Sequence, residues 1–147
     1  MRALGEAKLA LEQFKAPRTL SEEEIARITA AVSSFAGQEY SGGVVVSVPD
    51  GQQLWNTLDW ILQKAKWSRA AKTYNGDRSA NPPYDLLINA REGVAVLFPA
   101  NAPNASRAGK AFVDALSGAG ISAHVSENNG PRLRDNIIEI EIGAKPK

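Results

Sequence analysis

The sequence predicts an α/β fold in a single domain, and three observations carry that prediction. The run GVVVSVP at residues 43–49 is answered by GVAVLFP at 93–99, each a strand-like apolar run closed by proline. Behind the first run, Leu54, Leu58, Ile61, Leu62 and Ala65 fall at i, i+4, i+7, i+8 and i+11, and behind the second Ala108, Phe112, Ala115, Leu116 and Ala119 repeat those steps. Each helix then leaves through an apolar residue and a serine, Trp67-Ser68 and Ile121-Ser122, into second strands at RAAKTY and SAHVSE. Strand, helix and exit together predict two βαβ units from an internal duplication, with four extra residues in the second loop, PANAPNAS.

From the start of the chain, Leu4, Ala7, Leu11 and Phe14 lay one apolar stripe along a helix that Pro17 stops. Two heptads are too few to establish a coiled coil, so residues 1–16 read as a connecting helix with its stripe meant for a partner helix, ahead of a single α/β domain at 17–147. A helix lying back on its own domain fits the same stripe. Ser21 with Glu24 makes a capping box, Leu20 with Ile25 a hydrophobic staple, and Glu22 to Glu24 suit the positive end of a helix. Ile25, Ile28, Val32 and Phe35 form the buried face of this helix, and Gly37 ends it.

Sheet order follows from strand composition. VVVSV and VAVLF are the most continuously apolar and are predicted to be neighbouring interior strands, with the more polar RAAKTY and SAHVSE outside them. The order is then 2-1-3-4 with helices on both faces, a Rossmann-like (flavodoxin-like) arrangement. Ile138, Ile140 and Ile142 alternate with Glu139 and Glu141, which predicts a half-exposed fifth strand, antiparallel beside SAHVSE after a hairpin link at Asn128 to Asn136. Between the units, Asn75-Gly76 and Pro82-Pro83 mark turns, and Tyr84 to Arg91 are assigned a short helix.

Composition bounds the function. At 147 residues the chain suits one core hiding roughly 70% of its unfolded surface. With 17 Lys+Arg against 16 Asp+Glu, charge gives no sign of nucleic acid as a partner. Zero cysteines exclude disulfides, thiolate metal sites and a cysteine nucleophile, and leave the compartment open. MRALGEAKLALEQ is too charged for a signal peptide, and no run of about 18 apolar residues occurs, so the chain reads as soluble.

In a doubly wound sheet the ligand crevice lies at the carboxyl ends of the strands where winding reverses. Two loops would meet there, bringing Asp50 and Gln52 together with Asn104, Ser106, Arg107 and Lys110 as candidate ligand-binding residues for an anionic small molecule. Asn104 would cap the second helix and leave free amides for that anion. Gly109-Lys110 lacks both the glycine four residues earlier and the following Ser or Thr of a phosphate-binding loop, and Gly51 stands alone where a dinucleotide fingerprint needs spaced glycines. Neither Pro99 nor the single Asp50 supplies the acidic set of a phosphoreceiver site. His124 is the only histidine and has no partner nucleophile or metal set in view. No catalytic residue, metal ligand or cofactor is therefore assigned. Trp55, Trp60 and Trp67 read as packing residues, Trp55 lying just off the apolar face as an exposed contact.

The segments APRTLSEEEIARI, FAGQEY, LQKAKW, GVAVLF, FVDALSGAGI and IEIEIGAKPK together resemble the C-terminal soluble domain of uncharacterised proteobacterial membrane-anchored coiled-coil proteins. The likeness spans roughly residues 10–147, and its motifs are structural. This chain departs from the pattern in carrying no membrane segment and only the end of a coil. The resemblance implies a bacterial, membrane-tethered role in sensing or scaffolding, with self-association through the N-terminal helix, and it carries over no catalytic residue. The expectation is thus a non-catalytic interaction or ligand-sensing module. The alternative is a nucleotide- or phosphate-binding enzyme using the crevice at the strand ends.

Overall fold

A computed structural model describes residues 17–69, 84–99, 102–127 and 137–146. Helix α1 (Glu22–Val32) starts at the capping box: the Ser21 hydroxyl accepts from the Glu24 amide at 3.1 Å, and the Ser21 amide donates to the Glu24 carboxylate at 2.8 Å. A 3-10 turn (Ser33–Phe35) follows, and Gly37 takes a φ of 92° that favours glycine. Strand β1 (Glu39–Val45) comes next, then α2 (Gly51–Lys64) and β2 (Ser68–Arg69). Strands β3 (Asp85–Leu87) and β4 (Val94–Phe98) precede α3 (Pro103–Gly118), β5 (Ala123–Glu127) and β6 (Ile137–Ile142).

The fold is a mixed α/β arrangement around a six-stranded, mostly parallel sheet. Its order, β2-β1-β6-β4-β5, corrects the expected 2-1-3-4. The final strand is central: β6 runs parallel to β1, with Gly42 opposite Ile140, and antiparallel to β4, with Val96 opposite Ile140. It does not pair with β5, so the predicted antiparallel edge strand is wrong. The two valine-rich strands are neither neighbours nor parallel, because β6 separates them and reverses the direction. What does hold is each βαβ unit taken alone, since β1 pairs in parallel with β2 and β4 with β5.

β3 adds to the edge of β1 already used by β2. Glu39 and Tyr40 face β2, and Gly43 to Val45 face β3. The segment assigned a short helix, Tyr84 to Arg91, therefore contributes a strand. β1 itself begins before the valine run, at Glu39, and ends at Val45, so that Val46 and Ser47 turn out of the sheet.

The three helices among the described residues pack on one face. Ile28 and Val32 of α1, the apolar stripe of α2, and Ala108, Phe112 and Leu116 of α3 share one core with alternate strand residues. On the strands these are Tyr40 and Val44, Val94, Val96 and Phe98, and Ile138, Ile140 and Ile142. The intervening Ser41, Val45, Ala95 and Glu139 are buried but belong to the opposite face. Helices on both faces, as in a Rossmann-like sheet, are thus not observed among the described residues. Trp55 is a further correction: it is wholly buried over Gly42, where an added Cβ would lie 2.2 Å from the indole.

The two crossover helices end in the same hydrogen bonds. The Trp67 amide donates to the Leu62 carbonyl and the Ile121 amide to the Leu116 carbonyl, at 2.9 and 3.0 Å. One residue earlier, Lys66 (φ 68°) and Gly120 (φ 83°) both adopt the left-handed conformation, which turns the chain from helix to strand. The first helix (residues 1–16), RAAKTY beyond Arg69, the turns at Asn75 and Pro82, and the link Asn128 to Asn136 lie outside the described residues.

Candidate functional site

The candidate residues divide between the two ends of the sheet. Asp50 and Gln52 follow the carboxyl end of β1, whereas Asn104, Ser106, Arg107 and Lys110 belong to α3, which follows the carboxyl end of β4. Because β1 and β4 run in opposite directions on either side of β6, these ends point away from each other. The sheet brings Asn104, Ser106, Arg107 and Lys110 onto one helix and keeps Asp50 and Gln52 apart from them. Among the described residues no switch-point crevice joins the two groups.

Asp50 is committed to another task. Its carboxylate accepts from the Arg18 backbone amide at 2.8 Å, from Arg18 Nε at 2.9 Å and from Arg18 Nη2 at 2.9 Å. Arg18 Nη2 also donates to the Gly143 carbonyl at 2.8 Å, so one guanidinium ties the entry to α1 to the ends of β1 and β6. Hydrogen bonding from Arg18 outweighs burial and holds the Asp50 carboxyl below its ordinary range. Gln52 is exposed in the first turn of α2.

At the other end, α3 starts two residues earlier than expected. Ala102 occupies the N-cap position, with no side-chain cap bond, and Pro103 begins the helix. Asn104 is therefore inside the first turn, and its Oδ1 accepts from Arg107 Nη2 at 2.5 Å. Ser106 is half-buried, with its amide bonded to the Ala102 carbonyl, and Lys110 is exposed one turn further along. Asn104 and Arg107 line an open pocket of about 590 Å3 whose other wall is the 3-10 turn and the start of β1, including Phe35, Gly37 and Glu39. Gly109, tested in the sequence as part of a phosphate loop, instead lets α3 approach the sheet: an added Cβ would lie 3.0 Å from Phe98 and 3.2 Å from Val96.

Sequence reasoning passed over two polar arrangements. One is the Arg18–Asp50 pair, for which a separation of 32 positions left no local signal. The other is Tyr40, buried in the core, whose hydroxyl donates to Asp59 at 2.5 Å while Arg69 Nε lies 3.4 Å from the same carboxylate. Burial, and then the bond to Asp59, push the Tyr40 phenol above its ordinary range. Both arrangements join elements of the fold. Among the described residues no group of three or more His, Cys, Asp or Glu side chains is placed to hold a metal ion, and no helix is long and apolar enough to cross a membrane. His124, on β5 beside Ala95, is half-buried with Nε2 unpartnered.

A set of apolar side chains is exposed instead. Val46, Leu86 and Ile88 are 62, 62 and 88% exposed. The register of β1 against β3 puts Val44 opposite Leu86, and Val46 and Ile88 follow directly beyond the ends of these two strands at the sheet margin. Among the described residues nothing pairs with the outer side of β3. No protein-family model, curated protein or solved structure matches this chain.

Proposed function

We infer that the domain is a non-catalytic interaction module that docks an extended segment of a partner protein along β3. The single observation carrying this reading is the exposure of Val46, Leu86 and Ile88 beside an edge strand. A free edge offers a ladder of backbone donors and acceptors, and the adjacent apolar side chains offer specificity, the combination used in β-strand addition. The divergence of the two polar loops supports the same reading, because among the described residues neither end of the sheet assembles an acid/base pair or a nucleophile with its base. In this reading the domain is the soluble part of a membrane-associated bacterial protein. Its two βαβ units descend from one duplicated unit, a view supported by their matching helix exits.

The test is selection of peptides from a random display library on the folded chain. Enriched peptides should alternate apolar and polar residues and lose binding to Leu86→Lys and Ile88→Lys. Peptides that bind those variants as well as the native chain, or a library that enriches nothing, would contradict the reading.

The pocket of about 590 Å3 favours a second reading, capture of an anionic small molecule beside Arg107 and Asn104. A thermal-shift screen with nucleotides, cyclic nucleotides and sugar phosphates decides it. A melting-temperature rise that disappears in Arg107→Gln would establish the pocket as a ligand site and displace the first reading.

A further inference from the structure

Strand β3 carries a buried carboxylate with no counter-charge among the described residues. Its register against β1 puts Leu86 opposite Val44, which faces the helices, and Asp85 opposite Gly43 on the other face of the sheet. Asp85 is only 5% exposed, its Oδ2 has no hydrogen-bond partner, and no ion pair among the described residues includes it. The described neighbours on that face offer it nothing polar: Gly43 has no side chain, and Leu87 lies over it, 2.7 Å from where a Cβ would stand. A carboxylate withdrawn from water among such groups is unfavourable until a cation reaches it.

We propose that the segment docking along β3 carries a lysine or arginine opposite Asp85, directly next to the apolar residue that meets Leu86. This rests on the reading of β3 as a docking edge and names the chemistry of its partner. Among the described residues the outer side of β3 is unpaired. The Val46 amide donates to the Leu87 carbonyl, so the peptide groups of Leu87 face β1 and, by alternation, those of Leu86 face outward. A strand bonded to them lies about 4.8 Å from β3. Its residue opposite Asp85 then has its Cβ about 5 Å from that of Asp85, within reach of a Lys or Arg head group. The apolar stem of such a side chain lies along Leu87 while the charge meets the carboxylate. Because Asp85 and Leu86 are consecutive and point to opposite faces, the two determinants in the partner are consecutive as well, one cationic and one apolar. A segment without the cation would bury Asp85 further with no compensation. The carboxylate thus discriminates among segments that the exposed apolar side chains alone would accept equally.

Peptide selection on the folded chain tests this pairing separately from the docking itself. Enriched peptides should place Lys or Arg next to an apolar residue, and they should bind Asp85→Asn about tenfold more weakly than the native chain. Replacing that Lys or Arg by Gln in the peptide should cost as much on the native chain and nothing further on Asp85→Asn, a double-mutant cycle across the interface. Peptides that alternate apolar and polar residues, lose binding to Leu86→Lys and bind Asp85→Asn as tightly as the native chain would overturn the charge pairing and leave β3 as the docking edge. A library that enriches nothing would overturn both. The peptide change also decides the matter if Asp85→Asn does not fold: equal affinity of the native chain for the Lys or Arg peptide and its Gln counterpart overturns the pairing.

Discussion

Arg18 and Asp50 form a forked ion pair in which two guanidinium nitrogens each donate to the carboxylate at 2.9 Å, reinforced by the Arg18 backbone amide at 2.8 Å. The side chains are 5 and 10% exposed, so the pair is shielded from solvent. Removing one partner leaves the other charge buried without compensation, which costs about 3 to 5 kcal/mol. Arg18→Met should therefore destabilise the chain by about that amount in urea denaturation. The double variant Arg18→Met with Asp50→Asn should recover a large part of the loss. A double variant no better than the single one would mean that the pair acts through packing alone.

The same pair sets a pH dependence. Asp50 holds its proton less readily when folded than when unfolded, since Arg18 lowers its folded value. Its contribution is full above the ordinary aspartate value of about 4 and is lost as pH falls through the lowered folded value. Stability followed from neutral pH into acid should fall more steeply for the native chain than for the double variant in that range. Parallel curves would remove Asp50 from the acid response.

Gly42 and Trp55 are predicted to be coupled. Gly42→Ala drives a methyl group into the indole, and overpacking of this kind costs about 1 to 3 kcal/mol or more. Combined with Trp55→Leu, the same change should cost less than the two single changes summed, a departure that a double-mutant cycle measures directly.

The helix exits make a paired prediction. Lys66 holds a φ of 68° that an L-residue adopts at a cost of about 1 to 2 kcal/mol, and Gly120 holds 83° without that cost. Lys66→Gly should raise stability by about 0.5 to 1 kcal/mol, and Gly120→Ala should lower it by about 1 kcal/mol. Changes of the same sign at both positions would show that the two exits are not equivalent.

Phe112, fully buried with its ring 6.1 Å from that of Trp67, should cost about 3 to 5 kcal/mol on truncation to alanine. Loss below about 1 kcal/mol would place it outside the core.

Local chemistry was readable from the sequence, and long-range pairing was not. The capping box at Ser21, the apolar stripes of α2 and α3 and the left-handed turn at Gly37 all depend on residues within a few positions of one another, and each stands in the structure as expected. The placement of β6 failed because alternation of Ile138, Glu139 and Ile140 reports that two faces differ, and says nothing of whether the polar face meets water. Glu139 lies in the middle of the sheet and is buried. The start of β1 was missed because Glu39-Tyr40-Ser41-Gly42-Gly43 lacks an apolar run. Gly42 is there to admit Trp55, itself misread because a bulky ring beside a stripe looks exposed until its glycine partner is known. The candidate crevice failed with the sheet order that it assumed.

The separation of those two loops is open to one direct measurement. Gln52 and Asn104 are both exposed in the first turns of α2 and α3, and the chain has no cysteine to compete with spin labels placed at these two positions. With β6 between antiparallel β1 and β4, the labels sit at opposite ends of strands about 17 to 20 Å long and two strand spacings apart, so pulsed electron-spin distances should centre beyond about 20 Å. A distribution centred below about 15 Å would put the two loops side by side, as in a doubly wound sheet, and would contradict both the strand order and the absence of a shared crevice.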